Sequence, residues 1–192
     1  MTSTPQTWIL ELVQKMDKAV VADGDATRCQ QVMEALSESI GEGSCVLDPA
    51  LLRPVDSGYG RRLLHHDPAG AYSIVLMIWD SGQGTPLHDH SGMWCVEGVC
   101  QGRITVSNYD RLPNLDSGCD LFDFELKEVM EAGVGEAGRL IPPFDYHTIH
   151  NGGSELAATI HVYGGEVLKC NTFLPQEGGG YQLEVRQLCY ND

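Results

Sequence analysis

Apolar residues recur about every four positions at the start of the chain and every two positions over most of the remainder. The first pattern predicts a helix over residues 6–21, whose apolar side is formed by Trp8, Leu12, Met16 and Val20. A second helix is predicted over residues 25–40, with N-cap candidates from Asp25 to Thr27 and a stop at Gly41. We expect both helices to pack against a core.

From about residue 60 onward, alternating apolar and polar residues predict short strands separated by glycine-rich turns. The predicted strands are Ser73–Trp79, Trp94–Val99, Arg103–Tyr109, Phe122–Leu126, Leu156–Tyr163, Cys170–Leu174 and Tyr181–Val185. The glycine-rich tracts 133–138, 164–165 and 178–180 are interpreted as loops. Many short strands with no helix between them indicate a sandwich or small barrel, so an all-β-dominated fold with N-terminal helices is expected.

Composition narrows the class of protein without naming an activity. The 192 residues suit one domain, with a helical cap expected over residues 1–45 and a barrel over 55–190. The formal net charge of −15 disfavours nucleic acids and anionic membranes as partners. No apolar run approaches the length of a membrane span, and the first residues lack the features of a signal peptide. A cytoplasmic protein is therefore predicted.

The cysteines agree with a reducing compartment. There are seven of them, an odd number with irregular spacing and no Cys-x-x-Cys pair. This pattern predicts reduced thiols rather than a disulfide framework. The seven are Cys29, Cys45, Cys95, Cys100, Cys119, Cys170 and Cys189.

Two histidines, His88 and His90, stand two positions apart after a turn that contains glycine and proline. Side chains at this spacing on an extended strand point to the same face. Imidazole suits Zn, Cu, Fe and Ni, so the pair indicates a metal site without choosing the metal. Taken alone, such a pair is equally typical of packing or surface histidines.

The residues around this pair match a longer pattern. Five residues separate Gly82 from His88, four separate His90 from Cys95, and six separate Cys95 from Gly102. This spacing resembles the first motif of the cupin family, with Cys95 where a glutamate ligand usually stands.

A second segment resembles the second cupin motif. Four residues separate Pro142 from His147 and three separate His147 from Asn151, although Phe144 stands where the motif usually has glycine. His150 is the alternative to His147, and the spacing to Asn151 favours His147. The cupin resemblance implies a double-stranded β-barrel (jelly roll) with a metal held inside by His88, His90 and His147.

Cys95 in place of the glutamate narrows the resemblance further. Together with Tyr59-x-Arg61 and Thr159-Ile-His161-Val-Tyr163, it makes the chain similar to the cysteine dioxygenases over roughly residues 55–175. The resemblance implies a monomeric non-haem Fe(II) enzyme that oxidises L-cysteine with O2 to cysteine sulfinic acid. Three neutral imidazoles leave the iron its full dipositive charge, which favours a substrate bound as thiolate.

The resemblance also implies roles on the substrate side of the metal. Arg61 would bind the substrate carboxylate, because a guanidinium forms a bidentate, charge-assisted pair with it. Tyr59 is expected to hydrogen-bond towards the Tyr163 end of the pocket. Arg62 points the opposite way on a strand and is expected at the surface.

Alternating positions place Thr159, His161 and Tyr163 on one face of a late strand. The resemblance makes this face the lining of a polar cavity, where hydroxyl, imidazole and phenol form a catalytic hydrogen-bonded relay. Cys95 and Tyr163 stand at positions that a thioether crosslink joins in animal-type members, so a Cys95–Tyr163 crosslink is predicted. A buried free thiol beside a tyrosine is the alternative.

The match departs from the family after Tyr163. Gly164-Gly165 stands where animal cysteine dioxygenases have Ser-Pro, which predicts a more mobile or roomier pocket. The 3-mercaptopropionate dioxygenases also lack Ser-Pro, but carry glutamine and glycine at the positions of Arg61 and Cys95.

Oxidation of L-cysteine is therefore the leading interpretation, and oxidation of another small thiol is the alternative. A non-catalytic metal-binding cupin, or a cupin isomerase or hydrolase that uses another divalent metal, belongs to a different class of function.

Overall fold

The structure is a computed structural model that describes residues 4–41, 43–56, 58–113 and 121–191, so Cys119 lies outside the described residues. Two helices, α1 (Pro5–Ala19) and α2 (Asp25–Ile40), and a short 3-10 helix at Pro49–Leu52 precede the strands. The strands are β1 (Gly60–His66), β2 (Ser73–Trp79), β3 (Leu87–His88), β4 (Cys95–Gln101), β5 (Arg103–Arg111), β6 (Leu121–Phe122), β7 (Phe124–Gly133), β8 (Ala137–Leu140), β9 (Tyr146–His150), β10 (Ala157–Tyr163), β11 (Lys169–Pro175) and β12 (Tyr181–Gln187).

The strands form two antiparallel sheets that pack face to face. The order in the five-stranded sheet is β1-β2-β10-β4-β8, and the order in the seven-stranded sheet is β6-β12-β11-β3-β9-β5-β7. This arrangement confirms the predicted double-stranded β-barrel with N-terminal helices. Within the ranges described, neither helix has the length and apolar character that a membrane span requires.

Two apolar cores lie on either side of the five-stranded sheet. One lies between the helices and the outer face of the sheet, where Leu36 and Ile40 of α2 meet Val96 and Ile160. Gly98 of β4 makes this contact possible, because a Cβ there would overlap Cδ1 of Ile40. The other core lies between the two sheets and surrounds the histidines described below.

Most predicted elements are found within a few residues of their expected bounds, and the differences have local causes. Helix α2 begins at Asp25 itself, with Gly24 rather than Asp25–Thr27 at the N-cap position, because φ of 75° at Gly24 ends the preceding turn. The tract 133–138 is only partly a loop, since Ala137–Leu140 pairs with β4. Strands β1, β3, β8 and β9 were not predicted because they are short or rich in polar residues. The strand predicted over Phe122–Leu126 is divided between β6 and β7 and continues to Gly133.

Candidate metal centre and active site

Three histidines meet inside the barrel where β3 pairs with β9. His88 and His147 are cross-strand partners, and Nε2 of His147 lies 3.2 Å from Nε2 of His88. The ring of His90 lies 5.3 Å from the ring of His88 and 5.0 Å from that of His147. One nitrogen of each ring lies within 4.8 Å of the others, so the three side chains can hold one metal ion.

The sequence alternative to His147 lies outside this cluster. His150 is exposed, and its backbone forms an isolated bridge with Gly84. Asn151, which closes the second motif, has a structural role: its side-chain amide donates to the carbonyl oxygens of Trp79 and Glu155 at 3.0 and 2.9 Å.

The Nδ1 atoms of two histidines face acceptors on the outer side of the cluster. Nδ1 of His88 lies 3.1 Å from the carbonyl oxygen of Pro86. Nδ1 of His90 lies 3.3 Å from Oδ2 of Asp145, which also accepts from the His90 backbone N–H. A ring that donates from Nδ1 presents the lone pair of Nε2 to a metal, so these contacts set the tautomer of both rings.

Glu97 is a buried carboxyl group behind the third histidine. Its Oε1 lies 3.6 Å from Nδ1 of His147, and its Oε2 lies 3.4 Å from Nδ1 of His161. Burial raises the pKa of Glu97 to about 8. A dication held by the histidines would lower this pKa again, because an opposite charge favours the ionised form.

The histidines are kept neutral by loss of solvent. Burial, reinforced by His90, lowers the pKa of His88 to about 3. Burial also lowers the pKa of His147 and of His161 well below the ordinary value. A metal binds neutral imidazole, so protons do not compete for His88 and His147 near neutral pH.

Thr159 and His161 form the first part of the predicted relay, and Tyr163 is not joined to it. Oγ1 of Thr159 lies 2.8 Å from Nε2 of His161 and accepts from Nε1–H of Trp79 at 2.9 Å. The ring of Tyr163 stacks on that of His161 at 5.8 Å, and its hydroxyl points to Sδ of Met77 at 3.8 Å. The expected His161–Tyr163 hydrogen bond is absent because the two parallel rings lie face to face.

Cys95 and Tyr163 are cross-strand partners in β4 and β10. Both side chains are buried in the core between the sheets. Burial raises the pKa of the Cys95 thiol and of the Tyr163 phenol well above their ordinary values. The structure therefore places both groups side by side and in their neutral forms.

Arg61 and Arg62 lie on opposite faces of β1, and both are buried. Arg61 is 4% exposed, and its guanidinium donates to the carbonyl oxygens of Val167 and Cys189 at 3.1 and 3.4 Å. Arg62 is 5% exposed and donates to the carbonyl oxygen of Arg53 at 2.8 Å, so its predicted surface position is wrong.

A small cavity of about 20 Å³ adjoins the histidines. Its lining includes Tyr59, Tyr163 and Cys170. The ring centroids of Tyr59 and Trp79 lie 4.8 Å apart with the ring planes tilted by 31°, and burial raises the pKa of the Cys170 thiol to about 11. A larger cavity, of about 350 Å³, lies at the other side of Glu97 between β4, β5, β7 and β8. His88 and His90 line the small cavity, and none of the three metal-facing histidines lines the large one.

Comparison with known proteins identifies the family. The sequence model of the family described as cysteine dioxygenase type I matches residues 3–175. The chain belongs to the cysteine dioxygenase type I family. Members of this family are cupin-type metal-dependent dioxygenases that act on a small molecule and O2, and this coarse description applies to the chain.

Solved structures similar to the chain are distant in sequence. The protein TT1209 from Thermus thermophilus has 16% identity and a TM-score of 0.47, with 61% of this chain and 92% of that chain covered. A protein with a double-stranded β-helix domain from Klebsiella pneumoniae has 15% identity and a TM-score of 0.47, with coverage of 74% and 92%. An oxalate oxidase in complex with glycolate has 19% identity and a TM-score of 0.43; 58% of this chain is covered and about half, 53%, of the oxalate oxidase.

Gly164 and Gly165, which follow Tyr163 where animal cysteine dioxygenases have Ser-Pro, do not open space in this family member. A Cβ at Gly164 would overlap Nε1 of Trp94, and one at Gly165 would lie 3.0 Å from Sδ of Met93. Gly165 also has φ of 136°, which favours glycine. Trp94 and Met93 fill the space beside the two glycines, so these positions add no room to the pocket, and the greater mobility stays a prediction.

Two buried carboxyl groups of the site were not predicted. Asp145 contacts His90, and Glu97 contacts His147 and His161. The signal was present in the sequence, because each lies two positions from a predicted site residue: Glu97 shares a face of β4 with Cys95, and Asp145 immediately precedes β9, which holds His147. Glu97 follows Cys95 by two residues, and Asp145 precedes His147 by two.

Proposed function

We propose that this chain is a non-haem iron(II) dioxygenase that converts L-cysteine and O2 into cysteine sulfinic acid. The observation that carries the proposal is a buried cation, Arg61, which has no anionic partner among the described residues and acts on the pKa of His161 and Tyr163. The guanidinium of Arg61 has two carbonyl oxygens and the ring of Tyr190 as its partners and forms no ion pair within the described residues. Because an uncompensated buried charge is costly, an anionic ligand is expected there.

The donor set fits a divalent iron ion. Three neutral imidazoles suit iron, copper, nickel or zinc, and family membership in the dioxygenases favours the redox-active metals. Bound Fe(II) would supply the redox chemistry between O2 and a thiol. His88, His90 and His147 would hold it, with Pro86 and Asp145 orienting the first two rings.

Arg61 would fix the orientation of the substrate. Its guanidinium hydrogen-bonds the carbonyl oxygen of Val167, a residue that lines the small cavity. Burial raises the pKa of the Tyr163 phenol, and the charge of Arg61 opposes this effect, which supports a site that both groups share. A carboxylate bound to Arg61 would therefore bring the thiol of the same molecule towards Tyr163 and the histidines.

Tyr163 and the Thr159–His161 pair would act on the thiol. Among the described residues the Tyr163 hydroxyl has only the weak acceptor Sδ of Met77, so it is able to turn towards a sulfur that enters the cavity. Both atoms of O2 end on sulfur, so the thiol becomes a sulfinic acid with no other reductant. We also expect a monomer in the cytoplasm and a thioether between Cys95 and Tyr163.

Oxygen uptake by metal-loaded protein tests the proposal. Apoprotein prepared with a chelator is loaded anaerobically with Fe(II) or with Zn(II) and given L-cysteine or 3-mercaptopropionate. We expect one O2 consumed per cysteine sulfinate formed with iron, and none with zinc, because zinc has no redox chemistry.

The other outcomes have distinct meanings. Faster uptake with 3-mercaptopropionate would retain the iron site and replace the substrate, so that the chain oxidises a different small thiol. Tight metal binding with no uptake on either thiol would contradict the proposal in favour of a non-catalytic metal-binding cupin.

A further inference from the structure

Glu97 stands at the junction between the metal cluster and the Thr159–His161 pair. It is 6% exposed and lies directly opposite His161 in the β4–β10 register. One of its oxygens faces Nδ1 of His147 at 3.6 Å and the other faces Nδ1 of His161 at 3.4 Å. A single carboxyl group thus lies between a metal-facing ring and a ring of the relay.

Two atoms at this junction have no hydrogen-bond partner among the described residues. They are Oε2 of Glu97 and Nδ1 of His147. Buried side-chain polar atoms without a partner are uncommon in folded proteins and call for an explanation. A shortening of the His147 contact by about half an ångström, and a turn of the His161 ring that aims its Nδ1–H at Oε2, would make both contacts of Glu97 ordinary hydrogen bonds.

The tautomers of both rings direct an N–H group at this carboxyl. His147 faces the other histidines through Nε2, so metal binding at that atom leaves its proton on Nδ1. Trp79 donates to Oγ1 of Thr159, whose hydroxyl hydrogen is then free to go to Nε2 of His161. The proton of His161 is consequently also on Nδ1.

Cys95 is the competing acceptor for His161, and it is the weaker one. Its Sγ lies 4.0 Å from Nδ1 of His161, compared with 3.4 Å for the oxygen of Glu97. Sulfur is also a weaker acceptor than a carboxylate oxygen.

We propose that Glu97 is a positioning residue whose carboxylate accepts an Nδ1–H hydrogen bond from both His147 and His161. The inference rests on the proposed function, because it assigns His147 to a metal. Glu97 would hold the His147 ring towards the metal and keep His161 aligned with Thr159. Glu97 and Asp145 contact the histidines and not the metal itself. Together they would supply the negative charge that a directly bound carboxylate gives in metal sites that have one.

Metal affinity of Glu97 variants tests the inference without turnover. Wild type, Glu97→Gln and Glu97→Leu are titrated with Co(II), a probe that does not need O2, against a chromophoric chelator. We expect Glu97→Leu to bind Co(II) roughly 10- to 100-fold more weakly. Glu97→Gln, which keeps one carbonyl acceptor, should fall between the two. Glu128→Gln is the matched control, since Glu128 lines the same large cavity at an exposed position and should leave the affinity unchanged.

A spectroscopic measurement separates positioning from folding. In zinc-loaded, 15N-labelled wild type, the Nδ1–H groups of His147 and His161 should give downfield proton signals protected from exchange. Both signals should move upfield or exchange faster in Glu97→Gln while the backbone spectrum away from the site is retained. A purely structural role would leave these signals in place in any folded variant.

Three results would overturn the inference, and they differ from one another. Equal Co(II) affinity in wild type and Glu97→Leu would remove the positioning role while leaving the metal site intact. Two Co(II) per wild-type chain and one per Glu97→Gln chain would make Glu97 a ligand of a second ion with Cys95 and His161, which also lie within ligand distance of one another. Absence of metal binding by wild type would contradict the proposed function itself.

Discussion

The two faces of the five-stranded sheet are equally buried and opposite in chemistry. On β4 and β10, the face towards the helices is apolar, whereas the face towards the seven-stranded sheet carries thiol, carboxyl, hydroxyl, imidazole and phenol groups. The outer set is Val96, Cys100, Ala158, Ile160 and Val162, and the inner set is Cys95, Glu97, Thr159, His161 and Tyr163.

Within β4 and β10, the residues of the outer face therefore contribute to stability, whereas those of the inner face carry the groups of the candidate site. Burial of polar groups costs free energy unless each finds a partner, and Glu97 and His147 have polar atoms that do not. The outer faces of β4 and β10 have no such unpaired polar atom among the described residues, and their side chains belong to the core that α1 and α2 complete. Substitutions on the two faces should therefore have different signatures, even between adjacent residues.

The largest expected effect on stability is on the outer face. Ile160→Ala removes a fully buried side chain from the core under the helices and should lower the free energy of unfolding by about 2–5 kcal/mol. The Co(II) affinity of the folded variant should remain that of wild type, because Ile160 points away from Thr159 and His161. Urea unfolding and the Co(II) titration measure the two quantities. Weakened metal binding under conditions where the variant is fully folded would show that the faces are coupled.

The adjacent arginines of β1 offer a sharper comparison. Arg61 pairs in register with Met77 of the inner face, and Arg62 pairs with Leu76 of the outer face. Arg61→Gln should raise KM for L-cysteine roughly ten- to a hundredfold, because a charged hydrogen bond to the carboxylate contributes about 1.5–3 kcal/mol. Arg61→Gln should also bring the kcat/KM values for L-cysteine and 3-mercaptopropionate closer together.

Arg62→Gln is the matched control for this measurement. It should lower the melting temperature, since the Arg62 guanidinium holds the carbonyl oxygen of Arg53, and should leave KM unchanged. Steady-state oxygen uptake at several cysteine concentrations gives both KM values. If the KM of Arg61→Gln equals that of wild type, Arg61 does not bind the substrate carboxylate.

Alternation along a strand was enough to predict which site residues share a face. His88 with His90, and Thr159 with His161 and Tyr163, follow from a period of two. The same rule leads from Cys95 to Glu97, which occupies one of the six unspecified positions between Cys95 and Gly102 in the first motif.

Long-range contacts could not be predicted in this way. The carbonyl partners of Arg61 come from residues more than a hundred positions away, and only the packed C-terminal segment brings them near. Arg62 was expected at the surface because charged residues seldom bury, and the carbonyl oxygen of Arg53 allows it to do so. The space beside Gly164 is occupied by Trp94, which is far from Gly164 in sequence and reaches it only through the pairing of the strands.

The smallest expected effect concerns the inner thiol. If Cys95 and Tyr163 become joined, wild type incubated with Fe(II), L-cysteine and O2 should lose the mass of two hydrogen atoms, which O2 takes up. Cys95→Ser should show no such loss and should turn over roughly fivefold more slowly. The reason is that restricting one phenol side chain is worth about 1 kcal/mol. Cys100→Ser, on the outer face of the same strand, should still lose the two hydrogens. Intact mass measured before and after turnover decides between the crosslink and a free buried thiol, and an unchanged wild-type mass would favour the free thiol.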